Sequence, residues 1–375
     1  DPAPSAGVSI VLERFTMHNG SFVLAPALPP AADSTSRPLV ENVSVTARHV
    51  VMEGLVDALV LDATAAVKAA AAEAGAIVAA RNVSFSVSEA TFTSPSGNAV
   101  SFAAGDAAVV GCLIHVAEAS TITAGGRLAA SVEAAVVRST NLTATNEGGD
   151  ISITAGGDAN TIFNGVAALG VVQYRTRDDA KKTSSLLLSN VRIEAGAPQM
   201  DTQQHLSLLP SATDIDGGSI ADSVVPFASS ASNGHALTIS AVGGSCVAAA
   251  GASNHHDDGS GSDAPVTLDG TVLFIFVGTH DRQSVHAFAS LATAAAVGIA
   301  PSADSSSVSV SEGANVTILG WAEHGATIHA TSSTRAAAAV GMAIYSAFNI
   351  STIAISGAAT TVTIQGWAAH TATIE

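Results

Sequence analysis

Two stretches of the 375-residue chain concentrate side chains that could do chemistry. The first, YRTRDDAKK at Tyr174–Lys182, places Asp178 and Asp179 near two arginines, and paired carboxylates perform acid–base work on polysaccharides. Neighbouring residues of a strand point to opposite faces, so these two carboxylates are poorly placed to act as a pair. Alternating charges of this kind are more typical of a solvated turn.

The second stretch, NHHDDGSGSD at Asn254–Asp263, is the richest in potential metal ligands. Carboxylates and imidazoles in such a run could hold calcium or a transition metal. The run lacks the fixed ligand spacing of a calcium loop and looks like a flexible acidic loop. We therefore expect no catalytic residue, no metal site and no cofactor from either stretch.

The two tryptophans of the chain lie in near-copies of one sequence, ILGWAEHGATI and IQGWAAHTATI. Trp367 follows Trp321 by 46 residues. Exposed tryptophans on one face would form a stacking surface for sugar rings, whereas buried ones would fill corners of the fold. Trp321 and Trp367 are therefore the candidate ligand-binding residues, with both interpretations open.

His324 and His370 repeat with the same offset of 46 residues. A shared metal would need both imidazoles within about 2.1 Å of one ion. The coil expected between the two copies reads AIYSAFNIS and adds no ligand. We expect no metal site there.

Hydrophobic residues around both copies alternate with Ser and Thr, and this period of two indicates strands with one buried face. Strand-like segments begin about eight residues apart, at Asn42, Val50 and Ala58 for example. Three such strands make a coil of about 23 residues, and two coils make about 46. The spacing predicts a right-handed parallel β-helix, an all-β solenoid with long lateral loops.

In that solenoid the two copies would be separated by one intervening coil. Trp321 and Trp367 would then lie about 10 Å apart along the axis. Ile328 and Ile374 would stack with their side chains pointing inward, because each follows an outward Thr.

Composition supports a narrow core, because charged residues are 12% and aromatic residues only 4% of the chain. A β-sandwich would need more aromatic residues to fill its thicker core. A propeller remains an alternative, because about 46 residues suffice for one four-stranded blade.

We interpret residues 1–375 as a single solenoid fragment of a larger protein, with loops or insertions near 25–38 and 198–265. The Ala-rich run at Ala63–Ala80 could form a short helix, since Ala favours helix. RAAAAVGMA at Arg335–Ala343 could equally be strand. No segment is long and apolar enough to predict a membrane span.

The formal net charge of −17 argues against nucleic acid and against anionic lipid as partners. Cys112 and Cys246 belong to no metal or redox motif, and we expect two buried small hydrophobic residues, with their pairing open. Six Asn-x-Ser/Thr triplets are glycosylation candidates and favour a secreted or surface-exposed protein: Asn19, Asn42, Asn82, Asn141, Asn315 and Asn349.

The NVS and NVT strand starts, the Ala/Ser/Val-rich strands and the style of TILGWAEHGATI resemble the large surface proteins called dispersed gene family protein 1 in trypanosomes and related kinetoplastids. The resemblance is one of composition and strand pattern, and it spans most of the chain. It implies a glycosylated, membrane-anchored surface protein with β-helix or adhesin-like regions.

The sequence therefore predicts a non-enzymatic extracellular solenoid for adhesion or surface coating. Its expected partners are glycans or host and neighbouring cell-surface proteins. The alternative is a polysaccharide-binding or polysaccharide-cleaving β-helix of the pectin-lyase-like class. The Asn-Thr-Asp, Gly-His-Gly and Arg-Ile-Lys patterns of such enzymes are missing, and Arg192–Glu194 is the nearest match. Clustered carboxylates on one exposed face would favour the alternative, and scattered ones the scaffold.

Overall fold

The computed structural model describes most of the chain, and β-strands account for 72% of the described residues. The described residues are 7–26, 38–54, 56–70, 75–146, 148–156, 165–175, 185–196, 235–256, 263–269, 272–280, 283–291, 293–303, 305–311, 313–323, 326–333, 336–346, 351–357, 359–369 and 372–375. The predicted all-β class is confirmed.

The strands follow one another with short connections. The first half of the chain contains β1 (Val8–Glu13), β2 (Thr16–His18), β3 (Phe22–Leu24), β4 (Val40–Glu41), β5 (Val43–Arg48), β6 (Val51–Glu53), β7 (Leu59–Asp62), helix α1 (Thr64–Ala70), β8 (Val78–Arg81), β9 (Ser84–Ser88), β10 (Thr91–Ser94), β11 (Val100–Val110), β12 (Leu113–Ala117), β13 (Thr121–Ala124), β14 (Leu128–Thr145), β15 (Ile151–Ala155), β16 (Val166–Arg175) and β17 (Leu186–Ala195).

The second half continues with β18 (Leu237–Gly243), β19 (Cys246–His256), β20 (Asp263–Asp269), β21 (Val272–His280), β22 (Ser284–Ala289), β23 (Thr293–Ala303), β24 (Ser305–Ser311), β25 (Asn315–Glu323), β26 (Thr327–Ser332), β27 (Ala337–Met342), β28 (Tyr345–Ser346), β29 (Ser351–Ile355), β30 (Thr361–Ala369) and β31 (Thr373–Ile374).

Every strand pairing described is parallel, and the pairings fall into four series. One series forms a nine-stranded sheet, β2-β6-β10-β13-β15-β18-β22-β26-β31. The other three run through a 22-stranded sheet. The first of these is β1-β5-β9-β12-β14-β17-β21-β25-β30, the second β3-β7-β11-β14-β16-β19-β23-β27 and the third β4-β8-β11-β14-β17-β20-β24-β29. We call the chain between one strand and its partner in the same series a circuit.

The core is a continuous set of columns running through all four series. In the first series, successive strands place one aliphatic or aromatic residue at the same inward position, and seven of these residues are fully buried: Val45, Phe85, Ile114, Leu142, Ile193, Ile275 and Ile318. Small and β-branched residues suit such a pleated, stacked surface. Outward positions of the nine-stranded sheet instead carry half-exposed hydroxyl residues such as Thr91, Thr121, Ser152 and Thr238.

The predicted coil of about 23 residues is wrong. Trp321 is the direct register partner of Trp367 on the neighbouring strand, with no other strand between them. Their separation along the axis is therefore one strand spacing, about 4.8 Å, and not about 10 Å. Ile328 likewise pairs directly with Ile374 and is fully buried, so its predicted inward direction is confirmed.

The error has a physical reason. The eight-residue spacing does mark three consecutive strands, beginning at Val43, Val51 and Leu59. A fourth strand, β8 at Val78–Arg81, and a lateral segment follow before the chain returns beside β5. Because each circuit visits four strand positions, the 46-residue repeat is one circuit rather than two.

The lateral segments also differ from the expected ones. The start of the Ala-rich run forms α1, Thr64–Ala70, whereas its last residues belong to β8. Asp62 holds the first turn of α1, because it accepts a hydrogen bond from the Thr64 N–H at 2.9 Å. Part of the predicted insertion at 198–265 is strand, because β18 covers Leu237–Gly243 and β19 covers Cys246–His256. The predicted loop at 25–38 lies mostly in residues 27–37, outside the described residues. None of the described helices could cross a membrane.

Candidate functional site

The outer face of β17, β21 and β25 carries aromatic side chains on neighbouring strands. Arg192, Phe274 and Thr317 form one outward column of the register, and Glu194, Phe276 and Leu319 form the next. Rigid parallel strands hold neighbouring members of each column one strand spacing apart. We call this surface the aromatic face.

An ion pair and ring contacts order the aromatic face. Arg192 donates to both carboxylate oxygens of Glu194, at 2.7 and 3.1 Å. Its guanidinium carbon lies 5.2 Å from the centroid of the Phe274 ring, within cation–π range. The Phe274 and Phe276 rings stack with centroids 6.3 Å apart. Both phenylalanines are buried, so Arg192 and Glu194 form a polar border of this face.

Trp321 extends the aromatic face along β25. Its register partners are Gly278 on β21 and Trp367 on β30. A Cβ at Gly278 would lie 3.1 Å from the Phe276 ring, so the glycine leaves room for that ring beside Trp321. Trp321 is half-buried, and its carbonyl accepts a hydrogen bond from the Thr279 hydroxyl at 3.0 Å. The Cα positions of the two predicted tryptophans are thus adjacent.

The histidines that share the tryptophan repeat, His324 and His370, lie outside the described residues. So do Asp178 and Asp179, and most of the Asn254–Asp263 stretch. The predictions on these residues stay predictions.

A second polar cluster lies where the two ligand-rich stretches begin. Tyr174 on β16 and His255 on β19 are direct register partners, and their rings stack with centroids 6.0 Å apart and planes 8° apart. The guanidinium of Arg127 lies 4.4 Å from the Tyr174 centroid and donates to Glu133 at 3.0 Å. We call these four residues the Arg127 cluster.

A glycine precedes each ring of the Arg127 cluster on its strand. Gly170 and Gly251 are register partners in the middle of β16 and β19, and Gly251 has φ 152°. Leu128, Ala167 and Val172 form a small buried group apart from the main core, and Tyr174 packs against it. Sequence reasoning missed this cluster, because Arg127 and Glu133 are distant from Tyr174 in the chain.

Burial argues against chemistry at the Arg127 cluster. The side chains of Arg127 and Glu133 are only 22% and 10% exposed, and His255 is buried. Nearby Cys246 is fully buried, which raises the pKa of its thiol to about 12. Burial likewise raises the pKa of Cys112 to about 11. Both cysteines are buried, as predicted, and they are free, which the sequence left open; neither is a thiolate nucleophile at neutral pH.

The glycosylation candidates occupy different environments. Asn42 and Asn82 are left-handed corner residues, with φ 55° and 52°, at the same corner of successive circuits. The Asn82 amide donates to the Asn42 amide oxygen at 3.1 Å. Asn190 takes the same conformation, with φ 54°, at the start of the Val191 strand segment. Asn tolerates this conformation best among non-glycine residues.

The N-V-S/T triplets therefore have a structural origin. At Asn42, Asn82 and Asn315 the asparagine sits at the strand start, the following Val packs inward, and the next Ser or Thr points outward. Asn19 and Asn141 are exposed, whereas Asn349 lies outside the described residues.

Acidic side chains are dispersed over the described surface. Glu41 lies 3.6 Å from Arg81, Glu53 lies 2.8 Å from His18, and Glu89 lies 2.8 Å from His49. These pairs join neighbouring strands at separate corners and faces. Among the described residues, no group of three His, Cys, Asp or Glu side chains could hold a metal ion.

No protein-family model, curated protein or solved structure matches the chain.

Proposed function

We propose that the chain is a right-handed parallel β-helix that serves as a non-enzymatic extracellular scaffold for adhesion or surface coating. The observation that carries this proposal is the repeated parallel register. Four series of strands each gain one member per circuit, and one hydrophobic cluster runs from Val45 to Ala330. Such stacking gives a rigid rod whose lateral segments are its variable surface.

The dispersion of the described carboxylates supports a scaffold over an enzyme. A retaining glycosidase needs two carboxyl groups about 5 Å apart, and an inverting one about 6.5–9.5 Å. In the described part, Glu133 and Glu194 are each held by an arginine, and the exposed glutamates pair at separate corners. This arrangement favours spatial display over acid–base catalysis.

The extracellular location rests on the exposed candidates Asn19 and Asn141 and on the resemblance to kinetoplastid surface proteins. The structural origin of the N-V-S/T triplets weakens the argument from sequon number. Neighbouring cell-surface proteins and glycans remain the proposed partners.

Glycan binding is the second candidate, and the aromatic face favours it. Trp321 follows Leu319 on the outer face of β25, two residues beyond the column of Glu194 and Phe276, and Arg192 and Glu194 are the polar residues that border the two buried phenylalanines. Aromatic rings stack on the apolar faces of sugars while polar neighbours fix orientation.

Two measurements test these proposals. Labelling of intact cells with a membrane-impermeant reagent should reach the protein. An unlabelled protein would contradict the extracellular scaffold.

Binding to a panel of neutral and acidic polysaccharides tests the second candidate. Trp321→Ala should abolish glycan binding, whereas the matched change Phe288→Ala on the nine-stranded sheet should preserve it. Equal binding by both variants would remove the aromatic face as a glycan site. Turnover of pectin-type substrates would contradict the non-enzymatic proposal.

A further inference from the structure

Hydroxyl side chains form a two-column array on the outer face of the nine-stranded sheet. The consecutive strands β10, β13, β15 and β18 each present two outward Ser or Thr residues, separated by one inward residue. Strand register places the first residue of each pair in one column and the second in a parallel column. The eight residues of this hydroxyl array are Thr91, Thr93, Thr121, Thr123, Ser152, Thr154, Thr238 and Ser240.

The core beneath the hydroxyl array holds it in place. The inward residue between the two hydroxyls of each strand is fully buried in all four cases: Phe92, Ile122, Ile153 and Ile239. The register continues through the four strands without a bulge or a shift. Side-chain ladders of this kind keep stacked sheets nearly untwisted, so the eight positions approach a flat lattice.

The hydroxyl groups of the array are available to an outside partner. All eight residues are half-exposed, and none of their hydroxyls has a hydrogen-bond partner among the described residues. Each hydroxyl can donate one hydrogen bond and accept two. The array is uncharged, and ionisable residues border it in the second column, with Glu53 before Thr93 and His286 after Ser240. A neutral hydrogen-bonding surface therefore complements it.

The repeat distances of the hydroxyl array determine which neutral surface fits. Its two repeats, about 4.8 Å between strands and about 6.6 Å along a strand, lie within about 10% of two perpendicular oxygen repeats on a prism face of ice. A polysaccharide surface would instead be bound by aromatic rings stacked on its sugars, and the array contains no aromatic residue. The lattice thus fits crystalline water better than crystalline sugar.

We propose that the hydroxyl array binds ice. Each hydroxyl holds water at a position fixed by the strands, and water that bridges fixed polar groups is ordered at small entropic cost. Because these waters repeat at nearly the spacing of the crystal face, they join that face as its outermost layer. The inference concerns this one face and does not depend on the proposed scaffold role.

Partition of the full chain into slowly growing ice tests the hydroxyl array. The parent protein should be enriched in the ice relative to a protein without such an array, and it should inhibit ice recrystallisation. The double variant T123Y/T154Y should lose both effects, because two rings rise from the middle of the lattice, whereas tyrosine suits a strand. T121V/T123V removes two hydroxyls at nearly constant volume and should also lower the enrichment, which tests the proposal even if the tyrosine variant fails to fold.

Thr46→Tyr is the matched control, because Thr46 is an exposed outward threonine of β5, on a different face of the protein. It should leave ice enrichment and the circular dichroism spectrum unchanged. Exclusion of the parent from ice, equal enrichment of the parent and T123Y/T154Y, or an equal loss in T46Y would overturn the proposal. Binding of the parent to insoluble cellulose or chitin without binding to ice would identify a sugar-binding face and would overturn it as well.

Discussion

Replacing the buried Gly251 by alanine tests whether close contact with the backbone of the next strand keeps this position a glycine. Gly251 lies in the middle of β19, where φ is 152°, and its register partners Gly170 and Gly298 are also glycines. A Cβ at Gly251 would be driven onto the carbonyl oxygen of Gly298. Backbone of the next strand cannot move aside as a flexible side chain can.

Two contributions set the magnitude for Gly251→Ala. A non-glycine residue held in this backbone region costs about 1–3 kcal/mol. Forcing the adjacent strand away adds an overpacking cost of about 1–3 kcal/mol. The expected loss in the free energy of unfolding is therefore about 2–6 kcal/mol.

Two matched alanine variants separate these contributions in urea denaturation at 25 °C. At Gly341, φ is 135°, but the nearest atom to a new Cβ is a methyl group of Ile364 at 3.3 Å. The loss of stability for Gly341→Ala should therefore come mainly from backbone strain. At Gly105, φ is 55° and the nearest atom is 3.6 Å away, so the loss should be about 1 kcal/mol. A loss at Gly251 no larger than at Gly105 would refute the argument from backbone contact.

Three further predictions concern the corners, the Arg127 cluster and the thiols. Asn82→Ala should cost about 2 kcal/mol in unfolding free energy, from left-handed strain and the lost amide hydrogen bond, as measured by urea denaturation. Arg127→Ala should cost about 3 kcal/mol in the same assay, because it leaves the Glu133 carboxylate largely buried without its cation. Cys112 and Cys246 should not react with a thiol reagent in the native protein at neutral pH. Their raised pKa values mean that their contribution to stability is fully present below the ordinary thiol pKa of 9.0 and is lost as pH rises toward about 11 and 12.

Each of these has a matched control. Asn82→Gly keeps the corner conformation and should cost about half as much as the alanine variant. Arg14→Ala should change stability by less than about 0.5 kcal/mol, because the Arg14 and Glu13 side chains are 75% and 48% exposed. Equal losses of unfolding free energy for Asn82→Ala and Asn82→Gly, or for Arg127→Ala and Arg14→Ala, would contradict the reasoning. Rapid native thiol labelling, or stability that rises above pH 9, would contradict the burial of the cysteines.

The strands of the chain could be predicted from local pattern. Val308 and Val310 alternate with serines in the sequence and are fully buried in the structure, and Val316 and Ile318 behave in the same way. The parallel stacking of the two tryptophan copies followed from their equal offset, whereas their direct pairing did not. The alternation of hydrophobic and polar residues and the fixed repeat can be read from the sequence alone, because both depend only on positions along the chain.

The number of residues per circuit could not be predicted in that way. Strand starts at Val43, Val51 and Leu59 share one spacing, whereas the fourth strand β8 follows only after α1. A strand closes a circuit only if it pairs with the strand that began that circuit. The alternation of hydrophobic residues does not show which earlier strand a given strand pairs with. The Arg127 cluster escaped prediction for the same reason.

The sequence by itself determined the all-β class, the inward and outward alternation, the burial of the two cysteines and the lack of an enzyme-like sequence motif. Each depends on residue type and on neighbours within a few positions. Only the tertiary structure decided that a 46-residue repeat is one circuit, that glycines pair in register on neighbouring strands, and that Asn42 and Asn82 occupy left-handed corners. Those features arise from contacts between residues about 30 to 90 positions apart, which strand register brings to one spacing of about 4.8 Å.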